Sequence, residues 1–401
     1  MWIPFAYHFF AADHPRWLSS LHGKYGPVVR IAPNELAFIS PQAFRDIYGF
    51  RGRGHGVFTK SGSYDAAAFT AQTRSIVNER DPAEHARMRK MLAPAFSDRA
   101  LRDQWPLISA ATETLITEIE KYAKNGQPFD LAQYLSCITF DIITNLALGE
   151  SFDSVTAGKV HPWQVFFLNG ARAMGEALAV ARFPLLKRLV IALQPPPMGA
   201  MMKELRRHEE FTVELVKKRQ QSQVDRPDII GLILNSQDKE GTEYSPAFMA
   251  AQMSDVVIAG TDTTSTALGS ANYHLMANPQ VMETLRTEIR SRFEHYEDIT
   301  PETTSNLPYL NAVLSEALRI FAPVSWPPSR IVPPGGDTVD GYHLPAGTWV
   351  SAGYYTGGRS PENFQDPLTF WPERWLAEVP TDKLDASQPF GMGTRGCIGK
   401  Q

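Results

Sequence analysis

The chain has 401 residues, with 39 Lys and Arg against 43 Asp and Glu, a formal net charge of −4, and two cysteines. A composition of 43% hydrophobic and 20% charged residues is globular and excludes a disordered chain. The near-neutral charge argues against a nucleic-acid partner, and two cysteines exclude a disulfide scaffold, a Cys-rich zinc site and an iron–sulfur cluster while fitting a reducing compartment.

In chain order, Met1 to Ala12 is aromatic and apolar but shorter than the roughly 20 residues of a bilayer span. No basic region followed by a cleavage site marks it as a secretory signal. It reads as a short packed or interfacial segment, or as the remainder of a longer anchor. Gly23 to Ile39 predicts a hairpin, with strands Val28–Ile31 and Glu35–Ile39 about a Pro33-Asn34 turn. Pro82 to Ala93 predicts a helix with Asp81 as N-cap and Pro82 in its first turn. Ser97 to Lys124 and Leu131 to Gly149 follow as helices, the latter rich in β-branched residues and expected to be buried. Phe183 to Pro197 is apolar apart from Lys187 and Arg188, and Pro195-Pro196-Pro197 should break any helix there. Met198 to Gln221 is a charged helix. Ser245 and Pro246 open the longest helix, which runs to about Asn278 and spans about 48 Å at 1.5 Å per residue. Val281–Phe293 and Leu307–Phe321 are further helices. Gly341 to Ser351 predicts a hairpin around Pro345-Ala346-Gly347, and the chain is then irregular to Phe390. The fold class is mainly α with a small β part and no βαβ alternation.

The chain then reads Phe390-Gly391-Met392-Gly393-Thr394-Arg395-Gly396-Cys397-Ile398-Gly399, the pattern F-x-x-G-x-R-x-C-x-G. A thiolate is an axial ligand for haem iron that pushes electron density toward bound O2. Glycines at 393, 396 and 399 permit a tight turn that brings backbone N–H groups near the sulfur and backbone near a flat macrocycle. Arg395 supplies a fixed charge suited to a carboxylate of the cofactor. Cys137, set among Leu135, Ile138 and Phe140, reads instead as a core residue. Residues 391–396 also satisfy G-x-G-x-x-G. The dinucleotide reading fails, because Gln388-Pro389 stands in place of a preceding strand and the chain ends too soon for the acidic residue. The loop resembles the haem-ligand signature of the cytochrome P450 superfamily, the haem–thiolate monooxygenases.

The other landmarks of that family can be placed residue by residue. Ala259-Gly260-Thr261-Asp262-Thr263-Thr264 puts Gly, Asp and Thr at the centre of a buried helix, against local propensity. It resembles the oxygen-activation segment, in which the glycine opens a groove over the haem and an acid–alcohol pair, here Asp262 and Thr263, carries protons into a dry pocket. Glu316 and Arg319, at i,i+3, with Arg374 of Phe370-Trp371-Pro372-Glu373-Arg374-Trp375, resemble the buried network behind the haem. His85 and Arg89, on the Pro82 helix, and Arg330 resemble residues that hold the haem propionates. The resemblance implies Phe390, Arg395 and Gly399 as the cofactor-binding positions of the loop and Cys397 as the metal ligand.

The resemblance extends from Lys24-Tyr25-Gly26-Pro27 onward and implies a single cytochrome P450 domain over 1–401, with the long central helix above a haem b. Arg30 to Glu35, His161 to Trp163 and Gln388 to Phe390 are similar to fungal enzymes of secondary metabolism or xenobiotic oxidation. Family members carry Pro more often than Thr at position 394, and they continue for some tens of residues past the cysteine, with a helix under the haem and a final hairpin. Only Ile398 to Gln401 follow here, so the fold is expected to be incomplete at the C-terminus and haem binding weak. The implied reaction is insertion of one atom of O2 into an apolar small molecule, with electrons from NADPH delivered by NADPH–cytochrome P450 reductase. The alternatives are a haem–thiolate isomerase or dehydratase and a non-catalytic fragment. Pocket elements are expected at Gly62–Thr73, Val256–Thr263 and Val324–Trp326. The implied location is the cytosolic face of the endoplasmic reticulum, with a soluble cytoplasmic enzyme as the alternative. Phe183–Leu193 would touch lipid with Arg206, Arg207, Lys217 and Lys218 near headgroups, and Arg87 and Lys90 would meet the reductase.

Overall fold

The computed structural model describes residues 2–52, 54–66, 73–181, 183, 188–189, 192–193, 196–222, 224, 226–240 and 244–400. Helix accounts for 62% and strand for 6%, so the molecule is mainly α with a small β part. The helices of eight residues or more are α1 (Trp2–Phe10), α2 (His14–Tyr25), α3 (Pro41–Tyr48), α4 (Pro82–Leu92), α5 (Asp98–Lys124) and α6 (Leu131–Leu148). They continue as α7 (Pro162–Ala181), α8 (Pro196–Gln221), α9 (Ile229–Glu240), α10 (Pro246–Ala277), α11 (Pro279–Arg292) and α12 (Pro308–Ile320). The strands are β1 (Val28–Ala32), β2 (Glu35–Phe38), β3 (Thr59–Lys60), β4 (Arg330–Ile331), β5 (Asp337–Val339), β6 (Tyr342–Leu344) and β7 (Trp349–Ala352). Contacts divide the chain into two compact units, Met1–Thr59 with Thr266–Cys397, and Lys60–Ser265 with Ile398–Gln401.

The first unit carries the sheets. β1 and β2 form the expected hairpin, pairing Val28 with Phe38. β2 runs parallel to β7, and β7 antiparallel to β4, in a five-stranded sheet of order β1-β2-β7-β4-β3. The hairpin expected about Pro345-Ala346-Gly347 does not form. β6 pairs backward with β5, turning at Asp340 and Gly341, whose φ of 50° and 81° match a primed hairpin turn. Residues after Gly347 instead enter the larger sheet as β7. Phe38, Phe44, Val332 and Val350 make the core under this sheet, while Ala271, Leu285, Val313 and Ile320 join α10, α11 and α12. α1 packs through Phe5, fully buried among Phe9, His14, Trp17 and Trp326. Its opposite stripe, Ile3, Tyr7 and Phe10, is exposed.

The second unit is helical, with Leu92, Phe140, Trp163, Ile230, Met253 and Val257 in its core. The capping chemistry sets several boundaries. Asp81 accepts the Ala83 and Glu84 N–H groups at the start of α4, Ser97 accepts Ala100 N–H at α5, and Gly149 closes α6 in the left-handed region. Ser245 Oγ accepts Phe248 N–H at 3.2 Å, and α10 runs 32 residues from there. α6 is the one helix among the described residues long and apolar enough to cross a membrane; 61% of it is buried in the protein, as a core helix would be. Pro196 begins α8, because a proline fits the first turn, where no intrahelical N–H is needed; residues 194 and 195, just before it, lie outside the described residues. Most of Phe183–Leu193 lies outside the described residues, as does the 67–72 part of the expected pocket.

Candidate functional site

Glycine shapes the cysteine loop. Gly391 and Gly393 hold φ of 64° and 70°, a conformation that side chains resist. A Cβ on Gly393 would also lie 2.0 Å from the Tyr48 carbonyl oxygen at the end of α3. The Phe390 carbonyl accepts Cys397 N–H at 2.7 Å, and the Gly393 carbonyl accepts Gly396 N–H at 3.1 Å. Arg395 completes a tight 3-10 turn from Gly393. Phe390 and Arg395 are half-buried and Gly399 is exposed.

The two cysteines have opposite surroundings. Cys137 is wholly enclosed in α6, where burial first and the Asp141 charge second push its thiol up to about 11. It is a poor source of thiolate. Cys397 is exposed on its loop. Among the described residues no cluster of three His, Cys, Asp or Glu could hold a metal ion. A single available sulfur therefore suits a metal that arrives with its other donors already in place, as haem iron does in its macrocycle. The donor set fits a haem.

Arg330, in β4, is buried; its guanidinium lies 5.2 Å from the Tyr48 ring centre and donates to the Ser329 carbonyl at 3.1 Å. Elsewhere in the same unit Glu316, Arg319 and Arg374 meet. The Glu316 carboxylate accepts Arg319 Nε and Nη2 at 2.7 Å, Trp371 N–H and Trp375 Nε1 at 2.9 Å, and Arg374 Nε at 3.2 Å. Arg319 also donates to the carbonyls of Gly358, Pro367 and Thr369. A fourth member had no sequence signature: Asp382 accepts from Arg374 Nη1 and takes Gln365 N–H at 2.7 Å. All four charged side chains are at most 4% exposed. Two acids balance two bases, so no net charge is left in the interior.

In the second unit α4 places His85, buried, and Arg89, half-buried, one turn apart. On α10 the run Met249–Val257 is buried, whereas Ala259 and Asp262 are exposed. Gly260 faces a neighbouring helix. Its Cβ position lies 2.6 Å from Ile143 Cγ1, so the glycine lets α6 and α10 approach closely. The hydroxyls nearby are satisfied: Thr261 donates to Val257 O at 2.7 Å, and Thr139 of α6 to Thr261 O at 3.0 Å. Thr263 donates to Ala259 O at 2.6 Å. Asp262 and Thr263 are not bonded to each other, because consecutive helix residues diverge. The Asp262 carboxylate has no hydrogen-bond or ion-pair partner among the described residues. Surrounding protein raises its pKa above the usual carboxylate value, although part of its surface meets solvent.

Three of the surface candidates are paired. Arg87 meets Glu84 at 3.0 Å and lies over Phe248; Arg207 pairs with Glu204, and Lys218 with Glu150. Of the expected pocket residues Val256 is buried, Val324 exposed, and Trp326 engaged in the ring cluster of α1.

The model of the family described as Cytochrome P450 matches residues 2–401. The chain is 40% identical over 398 residues to cytochrome P450 monooxygenase ORF11 of Penicillium roqueforti, a match covering 99% of this chain and 82% of that relative. It is 37% identical over 404 residues to BipB of Cochliobolus sativus, covering 99% and 79%. With lcsI of Purpureocillium lilacinum it shares 34% identity over 406 residues, covering 99% and 77%. With the exposed thiol on its glycine-turned loop and this match along the whole chain, the protein belongs to the cytochrome P450 family.

Proposed function

We propose that the protein is a haem–thiolate monooxygenase that inserts one atom of O2 into an apolar organic substrate, in the secondary metabolism or xenobiotic oxidation of a fungus. Family membership supports oxidoreductase and monooxygenase chemistry in general. Residues 1–401 would belong to a single cytochrome P450 domain. Electrons come from NADPH through NADPH–cytochrome P450 reductase, with Arg87 and Lys90 of exposed α4 surface as the contact. The observation that carries the reading is Cys397, an exposed thiol on a loop whose backbone donors and glycines suit a bound macrocycle.

Cys397 would ligate the iron of a haem b, with Phe390, Arg395 and Gly399 against the macrocycle and His85, Arg89, Arg330 and Arg395 facing its propionates. When bound, the haem supplies the activation of O2. The chain's own part is proton handling and order. Asp262, with its pKa raised, holds a proton more readily than a surface carboxylate, and it is exposed on the mid-helix surface where a proton must be passed on. Thr263 Oγ, now donating to Ala259 O, can rotate to accept and donate in turn. Glu316, Arg319, Arg374 and Asp382 hold the segments leading to the loop in one arrangement. The exposed stripe Ile3, Tyr7 and Phe10 of α1 supports residence at a membrane surface, for which we propose the cytosolic face of the endoplasmic reticulum.

The deciding experiment is Cys397→Ala. The variant should lose the characteristic absorbance of the reduced CO complex; an unchanged spectrum rejects the haem–thiolate reading.

A further inference from the structure

We propose that Tyr48 is a positioning residue that sets the Arg330 guanidinium and the cysteine loop at one separation, so that anion recognition and the thiol are held in register by a single residue, its ring against the arginine and its main chain against the loop. The inference rests on the haem–thiolate reading of Cys397.

Tyr48 ends α3 and touches both parts at once. Its carbonyl oxygen stands where a Cβ on Gly393 would be, 2.0 Å away, so the loop lies directly on the end of the helix. Its ring lies under Arg330, 5.2 Å from the guanidinium carbon to the ring centre. That distance gives a cation–π contact to a buried charge. Its hydroxyl donates to the Pro328 carbonyl at 2.8 Å and accepts Ala352 N–H at 2.9 Å. These bonds tie the residue to the segment just ahead of Arg330 and to the end of β7.

The arrangement continues through neighbouring rings. Tyr48 packs on Phe44 at 5.9 Å between ring centres, and Phe44 stacks on Tyr354 at 5.7 Å. The Tyr354 hydroxyl lies 3.0 Å from the Cβ position of Gly391. The loop is therefore met at Gly391 by the Tyr354 hydroxyl and at Gly393 by the main-chain carbonyl of Tyr48. Met392, the residue between them, packs on the core that contains Phe44 and Tyr48. A displacement of Tyr48 at the end of α3 would move the support of Arg330 and the floor of the loop together.

The test compares Tyr48→Phe, Tyr48→Leu, Arg330→Leu and the Tyr48→Leu/Arg330→Leu double variant. Haem retained per chain, the thiolate-type fraction of the reduced CO absorbance and melting of the haem-free chain are measured for each. Loss of an outer-shell partner typically weakens metal-site affinity by about tenfold or more, so Tyr48→Leu should retain haem roughly tenfold more weakly and show a smaller thiolate-type fraction. The double variant should retain haem no worse than the weaker single variant. Multiplying losses, or unchanged retention and spectrum in Tyr48→Leu, overturn the inference. If Tyr48→Leu does not fold, Tyr48→Phe decides. Reduced retention with unchanged melting supports the role, and unchanged retention rejects it. Cys397→Ala runs in parallel. If its spectrum is unchanged, the haem–thiolate reading falls and takes this inference with it. If Cys397→Ala loses the signal while the Tyr48 variants keep theirs, only the Tyr48 inference falls.

Discussion

His208 of α8 should make the protein acid-sensitive well above the pH at which carboxylates protonate. The ring is 3% exposed. Trp163 Nε1 reaches its Nδ1 at 2.7 Å, and its Nε2 lies 2.6 Å from Ser254 Oγ. An indole N–H can only donate, so Nδ1 must accept and the ring proton sits on Nε2, directed at the serine. A second proton would set N–H against N–H. Burial pushes the pKa down from 6.5 to about 4. The unfolded chain therefore takes up a proton near 6.5 that the folded chain refuses until about 4. The stabilisation is complete above 6.5 and is lost as the pH falls toward 4. Between pH 7 and pH 5 the loss is about 2 kcal/mol. His208→Gln keeps an acceptor for Trp163 and a donor for Ser254 but cannot titrate. Urea unfolding of both chains at pH 7 and pH 5 reads the difference. Asp255, its carboxyl pushed up to about 6 by burial, contributes in the opposite sense and loses its share as pH rises through 6, but it is present in both chains. The wild-type chain should lose about 2 kcal/mol more than His208→Gln over this interval. Parallel pH profiles would refute the reasoning.

Two substitutions probe the rest of the frame. Glu316→Ala leaves two buried guanidiniums facing one remaining acid and should cost about 3–5 kcal/mol, measured as a lowered urea midpoint; a shift below about 0.5 kcal/mol would mean that the network relaxes freely. Gly393→Ala combines a φ of 70° with a Cβ placed 2.0 Å from Tyr48 O and should cost at least about 2 kcal/mol and weaken haem retention, whereas Gly399→Ala, with nothing within 4 Å of its Cβ, should leave the unfolding midpoint in place.

Local chemistry was legible where it acts over a few residues. Asp81-Pro82 announced α4, Ser245-Pro246 announced α10, and Pro33-Asn34 announced the first hairpin. Short or mixed elements were not: α3 is amphipathic but only eight residues long, too short for its apolar face to mark a helix, and α2 is studded with Ser, His and Gly. The second hairpin is expected one turn too late because Gly341 reads as the start of a strand, whereas Asp340-Gly341 forms the bend. At the site, glycine spacing made the cysteine loop readable. Tyr48 gave no signal because its partners lie far away in sequence, and Asp382 gave none because it meets Arg374 and Gln365 across an irregular stretch with no fixed spacing. The packing of Gly260 on Ile143 was not legible, because a glycine in a helix looks the same whether it clears space for a ligand or for a neighbouring side chain.

The balanced quartet of Glu316, Arg319, Arg374 and Asp382 also restricts how this sequence can drift. Changing any one of them leaves an unmatched charge in the interior, a penalty comparable to a large share of a domain's net stability. Lineages can leave the arrangement only by replacing an acid and a base together. Position 382, unremarkable in a turn-rich stretch, should therefore vary in step with position 374.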